Sequence, residues 1–167
     1  LAIKHGATPA LPLTLAFWAA LISSTPGHRP IAFEIGQWAL ELAQESEGLV
    51  QARTADLVYG MVFCWKESLA DVIEPLARNC QLALRHGTFE YAGYSLLKSL
   101  TYRLYLGQSL SQLQKELRSA HQLLTQIRQG RIARYIERDI AVVGWLRHPT
   151  LELTSFSDEY FDGQALL

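Results

Sequence analysis

The stretch "LRHGTFEYAGY", residues 84–94, contains the signal that decides the fold. It ends one apolar segment with His-Gly and begins another at once, and "IKHGATPALPL", residues 3–13, does the same. Glycine just past a helix end is favoured because it adopts the left-handed conformation that closes the helix. Glycines that follow candidate helix ends stand at Gly6, Gly48, Gly87 and Gly130, at spacings of 42, 39 and 43 residues. Such regular spacing indicates one supersecondary unit that is used several times.

Each interval contains a second break, so every unit is predicted to be a helix, a tight turn and a helix. The breaks are "STPGHRP" at 24–30, "KESL" at 66–69 and "GQSL" at 107–110. Pro30 suits a first helical turn, and Ser68 and Ser109 suit helix N-caps. The predicted helices cover residues 10–23, 30–46, 49–66, 69–86, 88–106, 109–128 and 131–147.

Apolar residues recur at spacings of three and four in these segments, which is typical of helices with one buried side. The clearest stripes are Leu110, Leu113, Leu117, His121 and Leu124, and then Ile132, Ile136, Ile140 and Val143. No run alternates as a strand does, so the fold class is all-α.

Hairpins with a period of about 41 residues predict stacked antiparallel helix hairpins, a tetratricopeptide-like α-solenoid of about 3.5 repeats. A packed bundle with the same helix count is the alternative. Close helix approach is expected at the mid-helix glycines Gly36, Gly60 and Gly93.

Composition and charge exclude several classes of function. The 167 residues carry a net charge of −1, which gives no general attraction to nucleic acid or anionic membrane. The longest apolar run, "LTLAFWAALI" at 13–22, is too short for a membrane span, which needs about 20 residues. Cys64 and Cys80 match no zinc spacing and are expected to be free thiols in a reducing cytoplasm.

The domain organisation is predicted to be a helical-repeat domain over residues 1–147, followed by a loop at 148–167 that leads toward a next helix or linker. The chain starts at Leu1 without Met, and we expect it to be a piece of a longer protein.

Motifs for chemistry are not found in the sequence. There is no phosphate-binding loop, dinucleotide fingerprint or hydrolase nucleophile elbow, and no two of the five histidines have metal-ligand spacing. His5 and His86 follow predicted helix ends, where the helix dipole favours a cation. We therefore predict no catalytic residue, no metal and no cofactor in this chain, which is expected not to be an enzyme itself.

Two helix sides are candidate binding surfaces for a protein or peptide. One side of helix 88–106 is predicted to carry Tyr91, Tyr94, Lys98, Tyr102 and Tyr105, and the other side Phe89, Leu96, Leu97, Leu100 and Leu104. Tyrosines on such a side either pack between repeats or line a binding groove. Helix 131–147 carries a row formed by Arg131, Arg134 and Arg138. This row either grips an acidic partner or is a solvated face with weak ion pairs.

Most of residues 1–150, and most strongly residues 64–117, resemble a helical segment of bacterial multi-sensor multi-kinases, which are typical of cyanobacteria. The array in that family contains "G-D-hydrophobic-E-Y-A" followed by "G-x-x-L", and this chain has "GTFEYA" at 87–92 and "GQSL" at 107–110, with "CWKE" at 64–67 before the preceding helix. Thr88 stands where an Asp is more usual, and both residues can cap a helix. In the family an AAA-type ATPase precedes the array, and GAF and histidine-kinase domains follow it.

The resemblance implies a non-catalytic interaction and coupling module that links an upstream nucleotide-binding domain to downstream sensor and kinase domains. The expected partners are a protein, a peptide or neighbouring domains of the same chain, with neither nucleic acid nor membrane, and the expected location is cytoplasmic. Two alternatives stay open. The chain could be the sensor arm of a nucleotide-switch transcription regulator. It could also be an all-α enzyme or small-ligand receptor in which His121 or the tyrosines supply the polar groups of a pocket.

Overall fold

The computed structural model describes residues 8–147, which form seven helices and no strand. The helices are α1 Leu11–Ser23, α2 Arg29–Ala43, α3 Gly48–Leu57, α4 Leu69–Arg85, α5 Phe89–Tyr105, α6 Leu110–Gln126 and α7 Gly130–Arg147. The all-α prediction is confirmed, and the predicted helix bounds agree within a few residues except at the end of α3. His5, Gly6 and the predicted loop at 148–167 lie outside the described residues.

The chain divides into two compact units between Ser99 and Leu100, within α5. In the first unit α1 packs against α2, and α3 packs against α4, while α1 and α2 also contact α3. In the second unit α6 packs against α7. Helices that follow one another across a tight turn are therefore packed as pairs.

Small side chains bring the helices of the first unit close together. The buried positions of α1 and α2 are dominated by alanines, namely Ala16, Ala19, Ala20, Ala32, Ala39 and Ala43. A Cβ on Gly36 of α2 would lie 3.1 Å from Val58 Cγ1 and 3.2 Å from Phe63 Cε1. Gly36 is thus a point of close approach between α2 and the chain that follows α3, as the sequence predicts.

The α-helical part of α3 ends nine residues before the predicted bound at residue 66. It continues as a wide π-helical turn at Val58–Val62 and then as a 3-10 turn at Phe63–Trp65. Gly60 lies in the wide turn, and a Cβ there would overlap with Cδ of the Lys98 side chain. The glycine therefore lets Lys98 of α5 cross the backbone at this turn, which confirms the predicted close approach at Gly60. π-helical turns of this kind are often found where a chain carries out a special structural or functional task.

Three helices end at a residue in the left-handed conformation. These residues are Gly87 after α4, Gly107 after α5 and Arg128 after α6, with φ of 69°, 73° and 58°. In each case the following N–H reaches back five residues to a helix carbonyl, as from Gln129 to Leu124 at 2.8 Å. This is the Schellman arrangement, which satisfies carbonyl groups that the helix end leaves without partners. The predicted role of Gly87 is confirmed.

The predictions for Gly48 and Gly130 as helix-closing residues are wrong. Each is the first residue of the next helix, α3 or α7. The preceding helix α2 is followed by Gln44 in a right-handed conformation, and α6 is closed by Arg128 instead. Gly48 has a different use, because a Cβ there would overlap with the imidazole of His86. The absent side chain lets the end of α4 lie directly against the start of α3.

The second unit has a core of branched aliphatic side chains. Both predicted stripes face it, and the fully buried members are Leu113, Leu117, Leu124, Ile132, Ile136, Ile140 and Val143. Leu110 and His121 lie half-buried at the edge of the stripe. The helix starts also agree with prediction, since Ser68 accepts a hydrogen bond from the Ala70 N–H at 3.2 Å. Ser109 holds the N-cap position of α6 without a side-chain hydrogen bond.

Candidate functional site

A buried polar cluster joins α3, α4 and α5 in the first unit. It consists of Asp56, Asn79, Ser95 and Lys98. The Lys98 Nζ donates to Asp56 Oδ2 at 2.8 Å, and the Ser95 hydroxyl donates to Asp56 Oδ1 at 2.8 Å. The Asn79 amide donates to the Ser95 hydroxyl and to the backbone carbonyl of Ala52, each at 2.9 Å. These hydrogen bonds fix α3, α4 and α5 against one another.

Burial and pairing act in opposite directions on the carboxyl group of Asp56. Burial raises its pKa, while the charge and hydrogen bond of Lys98 and the hydroxyl of Ser95 lower it, and the net result is a raised pKa. The side chain of Lys98 is about one-fifth exposed, whereas Ser95 is fully buried. Because a substrate cannot reach Ser95, we interpret the buried polar cluster as a link between helices rather than a reaction centre.

Among the predicted binding residues, Tyr91, Tyr94 and Lys98 are half-buried in the first unit. The ring centres of Tyr91 and Tyr94 are 6.3 Å apart in an edge-to-face contact. The Arg53 guanidinium lies 5.3 Å from the Tyr91 ring centre, and burial raises the pKa of the Tyr91 hydroxyl. The Tyr94 hydroxyl donates to Glu90 at 3.3 Å. Both tyrosines contact polar neighbours and keep part of their surface in water, so they remain predicted binding residues.

The same helix continues into the second unit, where Tyr102 is half-buried and Tyr105 is 69% exposed. The predicted apolar side of α5 needs correction, because Phe89 is exposed and only Leu100 of the five predicted residues is buried. The buried side is formed instead by small and polar residues, namely Ala92, Ser95 and Ser99. Ser95 can be buried there because it bonds to the buried polar cluster.

The predicted arginine row lies on α7 in the second unit, and its three side chains are exposed. Arg138 donates to the carboxylate of Asp139 at 3.0 Å and lies 5.7 Å from the ring centre of Tyr135. Asp139 is itself buried and also accepts a hydrogen bond from Thr101 at 3.2 Å. Arg138 is thus part of an internal contact of the second unit.

His121, the candidate polar group of a ligand pocket, pairs with a carboxylate in the second unit. Its Nε2 lies 2.8 Å from Glu137 Oε1, and both side chains are about 30% exposed. The pair joins α6 to α7 at the edge of their contact. The His121–Glu137 distance therefore indicates that His121 links α6 to α7.

Both α1 and α2 expose large apolar side chains, an exposure that the sequence pattern did not predict. Six large apolar side chains each expose more than two-fifths of their surface, and we call them the α1–α2 face: Phe17, Trp18, Leu21, Ile31, Trp38 and Leu42. The three on α1 share one side of the helix, as do the three on α2, because their spacings follow the helical repeat. Exposed apolar groups that adjoin one another mark interaction sites more often than single ones do.

Two shallow grooves with acidic edges adjoin this face. One, of about 390 Å³, is lined by Leu15 of α1, by Trp38, Glu41 and Leu42 of α2, and by Glu45 just after α2. The other, of about 500 Å³, shares Leu42 and Glu45 and extends to the residues before α1 and to the turn after α2. The two helices therefore meet in grooves that combine apolar walls with carboxylates.

The sequence did contain a signal for the α1–α2 face. The run 13–22 places apolar residues on every side of a helix. A helix of that kind needs apolar contacts all round, whereas the fully buried residues of α1 are all small. Three of the four tryptophans of the chain, Trp18, Trp38 and Trp65, are more than half exposed in this unit.

Within residues 8–147 no group of three or more His, Cys, Asp or Glu side chains is arranged to hold a metal ion. No helix in the described part of the chain has both the length and the apolar character to cross a membrane. The two cysteines are free, with Cys80 buried and Cys64 half-buried.

Comparison with known proteins gives no family for this chain. No protein-family model matches it, and neither a curated protein nor a solved structure does so.

Proposed function

We propose that this chain is a non-catalytic protein-interaction module built from stacked helix hairpins. The observation that carries the proposal is the arrangement of α1. Its buried side is made of alanines, a proline and a serine, while Phe17, Trp18 and Leu21 expose 51%, 53% and 74% of their surface. A helix that turns its largest apolar groups to solvent gains stability when a second molecule or domain covers them.

Several features support the hairpin stack that we propose, a tetratricopeptide-like array of about 3.5 repeats. Two of the predicted hairpins pack as pairs, α1 with α2 and α3 with α4, and α6 packs against α7, the first helix of the next predicted repeat. The left-handed residues Gly87, Gly107 and Arg128 follow one another at nearly equal spacings of 20 and 21 residues. The buried polar cluster also extends beyond one pair, because it bonds α3 and α4 to α5.

The signalling context of the proposal depends on the motifs in residues 64–117 alone. On that basis the module would link an upstream nucleotide-binding domain to downstream sensor and kinase domains in the cytoplasm, and binding at its surface would bias a neighbouring two-state domain. The sensor arm of a transcription regulator would use the same surface. The domains that flank this chain in its parent protein distinguish the two contexts.

Photo-crosslinking tests the proposal in the protein as its host cell makes it. Benzoylphenylalanine replaces Trp18 in one variant and Phe89 in a matched control, because Phe89 is an exposed aromatic residue outside the α1–α2 face. We expect the Trp18 position to crosslink to one defined protein segment, identified by mass spectrometry, at several times the yield of the control. Equal yields at both positions, or no protein adduct, would contradict an interaction role for this surface.

A further inference from the structure

We infer that the α1–α2 face docks an amphipathic helix that carries lysine or arginine along one edge of its apolar side. The inference depends on the proposed function, since it names the kind of partner that the interaction module takes. It follows from the exposed apolar side chains of these two helices and from a row of carboxylates on α2 and in the turn just after it.

The charges near the face have one sign. Glu34 and Glu41 are exposed on α2, at positions 3 and 10 after Ile31, and Glu45 is exposed in the turn just after the helix, so they form a row beside Ile31, Trp38 and Leu42. Apart from Arg29, neither α1 nor α2 contains a Lys or Arg residue.

The guanidinium of Arg29 is directed elsewhere. It lies 4.1 Å from the ring centre of Trp65, and its Nε donates to the backbone carbonyl of Ser23 at 3.4 Å. The carboxylates along α2 therefore have no cation beside them on these two helices, and a partner with basic side chains at that edge complements them.

The shape of the surface suits a helix. Residues 8–147 contain no strand and so offer no sheet edge to which an extended peptide could add. Along α2, the eleven steps from Ile31 to Leu42 rise about 16 Å, which matches about three turns of a bound helix. The grooves beside Leu15, Trp38 and Leu42 provide space for its apolar side chains.

Other occupants fit the charge less well. A second copy that docked through the same face would bring two rows of glutamates together, and an anionic membrane would be repelled by the same row. The residues 148–167 of this chain contain four carboxylate side chains and no Lys or Arg, so they lack the complementary charge as well. A basic amphipathic helix is the occupant that satisfies both the apolar and the acidic parts of the surface.

The test uses three defined probes with the whole chain. These are a three-turn peptide of leucine and lysine with one apolar side, the same peptide with glutamate in place of lysine, and vesicles that contain phosphatidylserine. Binding of the peptides is followed by NMR up to millimolar concentration, vesicle binding by co-sedimentation and self-association by sedimentation velocity. We expect the leucine–lysine peptide alone to bind, and to shift the resonances of α1 and α2.

Variants assign this binding to the face. Glu41→Gln combined with Glu45→Gln should weaken the leucine–lysine peptide about fivefold at low salt, and the loss should largely vanish in 1 M salt. Asp71→Asn combined with Glu74→Gln makes the same charge change on exposed positions of α4 and should leave the affinity within about twofold. Trp38→Gln should weaken binding at least about tenfold with the helical circular dichroism unchanged.

Several outcomes would overturn the inference. They are equal binding of the glutamate peptide, preference for the vesicles, self-association through the face, or equal losses in the two double variants. The crosslinking experiment separates this failure from failure of the proposed function. A crosslinked segment without a row of Lys or Arg refutes the inference and leaves the interaction role intact, whereas absence of any protein adduct at Trp18 refutes both.

Discussion

Replacing Lys98 by methionine should destabilise the chain strongly at neutral pH, because it leaves a buried carboxylate without its cation. Asp56 is only 1% exposed. The ammonium group of Lys98 donates one hydrogen bond to the Asp56 carboxylate and one to the Asp56 backbone carbonyl. Methionine keeps most of the aliphatic chain that lies over Gly60. The variant therefore removes the ammonium group while it preserves the packing of the side chain.

The expected magnitude follows from burial. Removing one partner of a buried ion pair costs about 3–5 kcal/mol, and we take the lower end because about one-fifth of the Lys98 side chain is in water. Asp56→Asn should cost less than Lys98→Met, since the lysine can turn its ammonium toward solvent, whereas Asp56 cannot leave the core. The double variant should cost less than the sum of the two single variants by about 2 kcal/mol.

The loss should depend on pH with a defined sign. Burial raises the pKa of Asp56 in the folded chain, and Lys98 opposes that rise, so the pKa rises further in Lys98→Met. A carboxyl whose pKa is higher in the folded than in the unfolded chain binds its proton more tightly when folded. Its contribution to stability is present at low pH and is lost as the pH rises through the folded-state pKa. The gap between wild type and variant should therefore widen from about pH 4 to pH 7.

Urea unfolding followed by circular dichroism at both pH values measures this gap. Arg78→Met is a matched control, since Arg78 pairs with Glu74 at 3.7 Å on the surface, where both side chains are 71% exposed. The control should cost less than about 0.5 kcal/mol at either pH. A loss below about 1 kcal/mol for Lys98→Met at pH 7, or the same loss at both pH values, would refute the account of the buried polar cluster.

Three further changes test the helix ends and the core. Arg128→Gly should raise the free energy of unfolding by about 0.5–1 kcal/mol, because glycine adopts the left-handed conformation at this position without strain. Arg128→Ala should give no such gain in the same urea titration. Gly48→Ala makes the exposed His86 ring turn aside, so it should lower the free energy of unfolding by less than about 1 kcal/mol, and a second change of His86→Ala should remove that loss; an equal loss in the double variant would show that the ring is not the cause. Burial raises the pKa of the Cys80 thiol to about 11. Iodoacetamide at pH 8 should therefore modify half-buried Cys64 first and Cys80 only in urea. Equal rates of modification in the native chain would contradict the burial of Cys80.

The helices of this fold could be predicted because their ends carry local chemical signals. Pro30 lies in the first turn of α2, Ser68 caps α4 and Gly87 closes it, and each acts through its own backbone or side chain. Arg128 closes α6 in the same conformation as Gly87, but an arginine gives no sign of a left-handed backbone. The sequence pattern therefore indicated the nearby Gly130 as the residue that closes α6, whereas Gly130 begins the next helix.

Which side of each helix is buried was harder to predict, because burial depends on residues far away in the sequence. Ser95 lies in the core of α5 only because Asp56, 39 residues earlier, accepts its hydroxyl hydrogen bond, and Asn79 donates to it. A search for apolar stripes favours Phe89 and Leu97 over such a serine. Where the partners of a polar residue come from two other helices, periodicity within one helix cannot indicate its position.

The energetics of the α1–α2 face favour an occupant that is tethered nearby. Full burial of a large apolar side chain contributes about 1.5–3 kcal/mol, so covering six half-exposed ones contributes about 7 kcal/mol. Association of a free partner costs at least about 4 kcal/mol, and two ion pairs with Glu41 and Glu45 return about 1 kcal/mol. The net free energy of binding is then about 4 kcal/mol, which corresponds to a dissociation constant of about 1 mM. A helix held by a short flexible linker reaches an effective concentration in the same range, so it would occupy the face about half the time, and a small bias from an adjoining domain would shift that occupancy.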